Sequence, residues 1–343
     1  MRHGRDSGGI DLLHLLGVVQ DSGELCREEI LFLLGQLEVR ERRDALDIGF
    51  GQFLRHRPIV PYDDAMNVRR TAVAGSWYPG DPERLAAEVD EYVSAARVAG
   101  DVPVPRAIIA PHAGLRYSGP VAAHAYKAAS AGCRAIVLVG PSHFIPFRGV
   151  SIWPSGAWET PFGRVAVDGE LADAIAAESR DVGERPDAHG REHSLEMQMP
   201  FIAHLLPGIP IVPLVMGYQT RDAAFALGDA IARAVASRAA AGSDTRNVLL
   251  VASSDLSHYE DALTAARMDA VVLGHVEALD PIALMDALER EPRHACGGGP
   301  MVAVLHAARR LGARQARVLR YADSGDISGD KTSVVGYMAA AIW

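Results

Sequence analysis

The segment RAIIAPHAG, Arg106–Gly114, decides how the rest of the chain is read. Ala107 to Ala110 are four apolar residues with the composition of a strand buried on both faces. Pro111 stops that strand, His112 stands just past its carboxyl end, and Gly114 lets the chain turn away. In open α/β sheets this is the end at which ligands bind. RAIVLVGPSHF, Arg134–Phe144, repeats the device: Gly140-Pro141 ends an apolar run and His143 follows. NVLLVASSDLSH, Asn247–His258, repeats it again and delivers Asp255 and His258. A single histidine beside a proline or glycine is ordinarily a loop-capping residue. Three strand tips of this kind point to one site.

Outward from these strands, apolar runs and helical stretches alternate. Asp81-Pro82 predicts an N-cap and first turn for a helix reaching about Arg97. A helix is expected from Pro120 to about Ala131, and another over Glu192–Leu206, ended by Pro207-Gly208. Ile209–Met216 reads as a further buried strand, followed by a helix over Arg221–Ala236. Helices follow over Ala262–Ala278, Pro281–Glu289 and from Cys296-Gly-Gly-Gly-Pro300 to about Arg310. Val318–Tyr321 and Ser333–Ile342 read as closing strands. The short β-like runs Ser151–Trp153 and Arg164–Val167, around Trp158 and Pro161, suggest a hairpin excursion. The fold class is therefore α/β, a mostly parallel central sheet with helices on both faces.

Residues 1–65 read differently. Ile10–Val19 and Glu28–Val39 have amphipathic helical spacing, Glu38–Asp47 is dense in charge, and Pro58 and Pro61 mark a linker reaching Met66. A short helical extension over 1–65 and one α/β domain over 66–343 are expected, with Met66 as an alternative start.

Composition bounds the function. With 49% hydrophobic and 22% charged residues, 343 residues can bury a large core. A net charge of −9 gives no basic footprint for nucleic acid. No Lys/Arg run addresses an anionic membrane, and no stretch is long and apolar enough to span one. Leu12–Val19 is interrupted by His14 and has no cleavage site after it, so a signal peptide is not expected. Cys26, Cys133 and Cys296 are few, odd in number and far apart, which predicts a reducing, cytoplasmic setting without disulfides. GxGxxG after the first strand, GxxxxGK[ST], HExxH and GxSxG are all missing, which disfavours a nucleotide cofactor and a serine hydrolase.

The residues left to carry chemistry are His112, His143, His193, Asp255, His258 and Cys296. Neutral imidazole and thiolate are ligands for iron, copper or zinc. His112 and His143 lie 31 residues apart, about one βαβ unit, so parallel packing would bring their strand ends together. Asp255 could ligate, orient an imidazole from behind, or simply cap the next helix. Cys296, before a glycine run and a helix start, is either a thiolate stabilised by backbone N–H groups or a small buried hydrophobe. His193 and Glu196 stand one turn apart, on a solvated helix face or at the site.

AGSWYPG (Ala74–Gly80), APHAGLRYSGPVAAHAYKA (Ala110–Ala128), VGPSHF (Val139–Phe144), EHSLEMQMPF (Glu192–Phe201), SSDLSHY (Ser253–Tyr259) and the Cys296 segment, in this order, resemble the Memo family, whose prokaryotic members are labelled AmmeMemoRadiSam system protein B. The resemblance runs from about Val68 to Trp343, and it implies a fold like that of LigB-type class III extradiol dioxygenases. It also implies a metal centre of His112, His143 and Cys296, expected to converge on one point, with His193, Asp255 and His258 handling protons or substrate. The implied cofactor is Fe(II), with copper as the alternative. GGGP after Cys296 departs from animal members, which carry bulkier residues there. Three functions stay open at this point: a metal-dependent redox enzyme, a binding protein holding a peptide, small molecule or metal in the same cleft, and a true extradiol dioxygenase. The system name further implies radical SAM and AMMECR-type protein partners.

Overall fold

The computed structural model describes residues 67–129, 132–240 and 244–343. The expected helical extension over 1–65 and its linker lie outside the described residues. In chain order, strand β1 (Val68–Arg69) precedes helix α1 (Pro82–Ala95), β2 (Ala107–Ala110), α2 (Leu115–Ala129) and β3 (Ala135–Pro141). Then come β4 (Val150–Ile152), β5 (Ala157–Thr160), β6 (Gly163–Ala166), α3 (Gly169–Ala177), β7 (Val182–Glu184), α4 (Pro186–Gly190) and α5 (Met199–Leu205). β8 (Ile211–Met216), α6 (Arg221–Ala240), β9 (Val248–Ser253), β10 (His258–Glu260), α7 (Ala262–Glu277) and α8 (Pro281–Arg290) follow. The chain closes with α9 (Gly298–Arg310), β11 (Ala316–Asp323), α10 (Gly325–Ser328) and β12 (Val334–Ile342).

The four apolar runs become the centre of a nine-stranded sheet, ordered β10-β12-β2-β9-β3-β8-β4-β7, with β11 also paired to β12. β2, β9, β3 and β8 are mutually parallel neighbours. β12 runs antiparallel to β2 and to β11. Because side chains alternate across a strand, each central run feeds two cores at once. Ile109, Val137, Val139, Leu214 and Leu250 pack with residues of α3, α6, α7, α8 and α9. Ile108, Ile136, Leu138, Val215 and Val251 pack on the other face with residues of α1, α2 and α5. Helices on both faces explain why these strands are apolar throughout rather than alternating.

Three local expectations need correction. Ser151–Trp153 and Arg164–Val167 do not pair with each other. β4 instead extends the main sheet antiparallel to β8, while β5 and β6 form the hairpin and join β1 in a separate three-stranded sheet. Glu192–Leu206 is not one helix: a single 3₁₀ turn, Glu196–Gln198, leads into α5. The cause is Glu192, whose carboxylate accepts the N–H of Ser194 at 2.9 Å and so turns the backbone away from helical pairing. α2 starts at Leu115 rather than at Pro120, which stands inside it; the Leu115 N–H is satisfied from outside by the carbonyl of Trp77 at 2.9 Å.

The segment from β1 to Tyr78 is tied down by a buried ion pair between Arg69 and Glu196. Glu196 also accepts from the N–H groups of Ala72 (2.8 Å) and Val73 (2.9 Å) and from the Tyr78 hydroxyl (2.8 Å). Arg69 donates further to the carbonyls of Glu192 (2.6 Å) and His189 (3.2 Å) and lies 4.5 Å from the centre of the Trp158 ring. Removing one member leaves a buried charge and several orphaned donors. Glu196→Leu is therefore expected to lower unfolding free energy by about 3–5 kcal/mol in a urea titration. A loss below about 1 kcal/mol would show that the pair is dispensable.

Candidate metal centre

The carboxyl ends of β2, β9 and β3 stand side by side, and each delivers a site residue. Past β2, the backbone N–H of His112 donates to Asp255 Oδ1 at 2.7 Å. The N–H of Ser254, just past β9, donates to the carbonyl of Ala110 at 3.0 Å, so the register fixed inside the sheet carries through to its edge. The His112 ring is buried, with Nδ1 3.0 Å from Ser253 Oγ and Nε2 3.2 Å from Cys296 Sγ.

Past β3, the N–H of Ser142 donates to the carbonyl of Met216 at 2.8 Å, which continues the pairing with β8. His143 then meets Glu192. Its backbone N–H donates to Oε2 at 2.6 Å and its Nδ1 lies 2.8 Å from Oε1. A carboxylate only accepts, so Nδ1 carries a proton, and in the neutral ring the lone pair is on Nε2. This is the carboxylate–histidine arrangement that orients a ligand imidazole and makes it a stronger donor.

Cys296 arrives from far along the chain, held by its own neighbours. Gln219 Nε2 donates to the Cys296 carbonyl at 2.7 Å, and Gln219 Oε1 accepts from the N–H of Gly299 at 2.7 Å. The Asp255 N–H points at Sγ from 3.3 Å, which favours the thiolate. The glycine run is a device for close approach. A Cβ at Gly297 would stand 2.5 Å from the Ser253 carbonyl oxygen, and one at Gly299 2.6 Å from Met216 Sδ. Bulkier residues there would push Cys296 away from β9.

The ligand atoms of His112, His143 and Cys296 all lie within 4.8 Å of one another. An ion with bonds of roughly 2.0–2.3 Å reaches all three. His193 completes a second grouping with His143 and Glu192, also within 4.8 Å. Its ring stacks on His143 at 4.5 Å between centroids and 20° between planes, and lies 4.4 Å from Trp77 and 5.8 Å from Phe144.

Electrostatics divide the two histidines. Burial pushes the His112 pKa well down, and the charges of His143 and His193 add to this, so the ring is neutral. Burial also opposes charge on His143, but Glu192 outweighs it and the pKa is raised well above the ordinary histidine value. Burial would raise Glu192, but the His143 charge and its hydrogen bonds hold the carboxyl well below the usual range.

The six residues singled out in the sequence separate into different positions. His112, His143 and Cys296 meet, and His193 flanks them. Asp255 does not cap a helix, since Asp261 caps α7; it fixes the backbone of His112. His258 heads β10 with Nδ1 2.8 Å from the Leu256 carbonyl, which can only accept, so Nδ1 carries a proton. His193 and Glu196 do not share a face: one enters the site and the other the Arg69 ion pair. Glu192 was missed, although a strand-tip histidine that ligates a metal needs an acceptor behind it, and an acid beside another histidine was available to supply one.

An α/β protein with two strand-tip histidines and a cysteine gathered at the carboxyl edge of its sheet defines a class, and comparison with known proteins gives it a family. Residues 69–341 match the family model of Memo-like proteins. A MEMO1 family protein of Methanothermobacter thermautotrophicus is 38% identical over 278 residues, which cover 79% of this chain and 98% of the relative. MEMO1 family proteins of Sulfolobus acidocaldarius (39% over 287 residues, 79% of this chain and 98% of the relative) and Thermotoga maritima (35% over 286 residues, 80% and 99%) are similar to it as well. The chain belongs to the Memo family.

Two outcomes are expected of this geometry. Glu192→Gln should weaken binding of a divalent ion such as Zn(II), titrated against a competing chelator, by roughly 10–100-fold with little change in fold. An unchanged affinity would remove Glu192 from the centre. Below its raised pKa, His143 holds a proton on Nε2 that must leave before a metal binds. Affinity should therefore climb as the pH rises through that raised pKa, above the ordinary histidine range, and Glu192→Gln should move the levelling-off to lower pH. A flat profile in the unmodified protein would contradict the assignment of His143.

Proposed function

We propose that this Memo-family protein binds a first-row metal ion at His112, His143 and Cys296, Fe(II) first and copper second, and uses it as a metal-dependent redox enzyme. The carrying observation is the convergence of a neutral imidazole, a carboxylate-oriented imidazole and a thiol within 4.8 Å at the ligand edge of the sheet. The donor set fits a metal. A Cys296 thiolate and the Glu192 carboxylate together place two negative charges in a site of low polarity, and a divalent ion balances them. One thiolate with two imidazoles suits iron or copper better than magnesium or calcium.

The ion would supply Lewis-acid and electron-transfer chemistry. The protein supplies the rest. The His143 side chain is 13% exposed while Glu192 behind it is 1% exposed, so the centre is reached from the His143 and Cys296 side. In this reading His193, stacked on His143, would hold or move a proton at that opening, with His258, whose charge is felt at His112, as a further candidate. A parallel sheet carrying its site at the carboxyl edge supports a LigB-type reading of the fold. A sulfur where extradiol enzymes carry a carboxylate argues against ring cleavage as the reaction. A cytoplasmic protein working with radical SAM and AMMECR-type partners is consistent with this. Among the described residues no helix is long and apolar enough to cross a membrane.

Cys296→Ser should sharply reduce Fe(II) and Cu(I) retained after anaerobic loading while leaving unfolding unchanged, because it removes a soft anionic donor at nearly constant volume. Cys296→Asp should recover Fe(II) in part, by restoring the carboxylate of a facial triad, but not Cu(I). Equal metal content in the unmodified protein and Cys296→Ser would reject the proposal.

A further inference from the structure

Behind His112 stands a hydrogen-bond chain in which every proton can be placed. Ser253 Oγ has three polar neighbours: the Ser194 carbonyl at 2.6 Å, Gln198 Nε2 at 2.7 Å and His112 Nδ1 at 3.0 Å. A carbonyl cannot donate, so the single hydroxyl proton of Ser253 goes to Ser194. Gln198 is oriented without ambiguity. Its amide nitrogen lies 3.0 Å from the Pro111 carbonyl, another pure acceptor, while its oxygen accepts from the Tyr126 hydroxyl at 2.9 Å. One Gln198 N–H therefore goes to Pro111 and the other to Ser253. That N–H fills one lone pair of Ser253 Oγ. The second lone pair can only accept from His112, which must carry its proton on Nδ1.

We infer that Ser253, its hydroxyl proton turned to the Ser194 carbonyl and one lone pair filled by Gln198, is a positioning residue that locks the tautomer of His112 and so presents a bare Nε2 toward Cys296. All members of the chain are buried: Gln198, Ser253, Ser194 and Tyr126 are shielded from water. No solvent molecule is needed to complete the pattern. The Tyr126 ring stacks on Phe201 at 5.0 Å with 4° between planes, which holds the far end of the chain still. Without the Ser253 oxygen, His112 Nδ1–H loses its acceptor and the opposite tautomer, with a proton where the metal would bind, becomes accessible. The two histidines thus keep a proton on Nδ1 by different means. His143 uses a charged acceptor, and His112 uses a neutral hydroxyl whose direction is set by the Ser194 carbonyl. The usefulness of the lock depends on the metal reading above; its geometry does not.

The test uses the full chain, free of metal, with ¹⁵N-labelled histidine. His112 signals are assigned by loss in His112→Gln. In the unmodified protein His112 should show a protonated Nδ1 and an unprotonated Nε2; the reverse would overturn the inference whatever the metal result. In Ser253→Ala, which removes the acceptor and little volume, the two tautomers should mix, and Fe(II) affinity measured anaerobically should fall roughly 10–100-fold. A pure Nδ1–H tautomer with unchanged affinity in a folded Ser253→Ala would also overturn it. If that variant does not fold, Ser253→Cys keeps the shape and leaves only a weak acceptor. A weaker Fe(II) affinity with partial mixing supports the lock, and a spectrum and affinity identical to the unmodified protein reject it. Failure of the metal proposal is read separately, from Cys296→Ser.

Discussion

A buried carboxylate that cannot be left unpaired governs this structure. Glu192 is almost wholly removed from water, where an unpartnered charge would cost several kcal/mol. It accepts from the N–H of His143, from the His143 ring and from the N–H of Ser194. Those bonds join residues 49 positions apart and break the helix that the sequence around EHSLEM would otherwise continue. The same bonds set the imidazole with its Nε2 facing the cysteine. Local secondary structure is given up here so that a side chain is held in one orientation.

The stretch carrying Glu192 also carries Ser194, Glu196 and Gln198, and each serves a different neighbour. Ser194 offers its carbonyl to Ser253, behind His112. Glu196 is committed to Arg69 and to the backbone around Ala72. Gln198 reaches from Pro111 to Ser253. Seven consecutive residues thus fasten the strand tips, the aromatic segment near Trp77 and the candidate metal centre to one another. Trp77 owes its place beside His193 to this fastening, while Trp153 and Trp158 surround the buried His189 and not the centre.

Much of the fold was legible because the central strands are buried on both faces. Four apolar runs, three ended by Pro or Gly and one by Ser253-Ser254, could be read without knowing their neighbours, as could the Asp81-Pro82 helix start, whose Asp81 side chain does accept from Arg84. Where elements depend on contacts distant in sequence, reading failed. Ser151–Trp153 is too short to declare its partners, and β4 pairs with both β8 and β7. Gly297–Gly299 looked like a bare cluster until the Ser253 carbonyl and Met216 were found pressed against it.

The site divides in the same way. His112 and His143 could be named from sequence alone, because a residue that follows a strand-stopping proline lies at the ligand edge of a parallel sheet whatever the order of its strands. Cys296 was nominated by its glycine run but placed only by the family resemblance, since no periodicity links it to the strands. Which acid stands behind His143, that Asp255 holds a backbone rather than a cap, and which ring nitrogen of His112 carries a proton were decided by tertiary structure. The physical reason is that orientation and protonation depend on partners within about 3 Å, and those partners come from segments that only the folded sheet brings together.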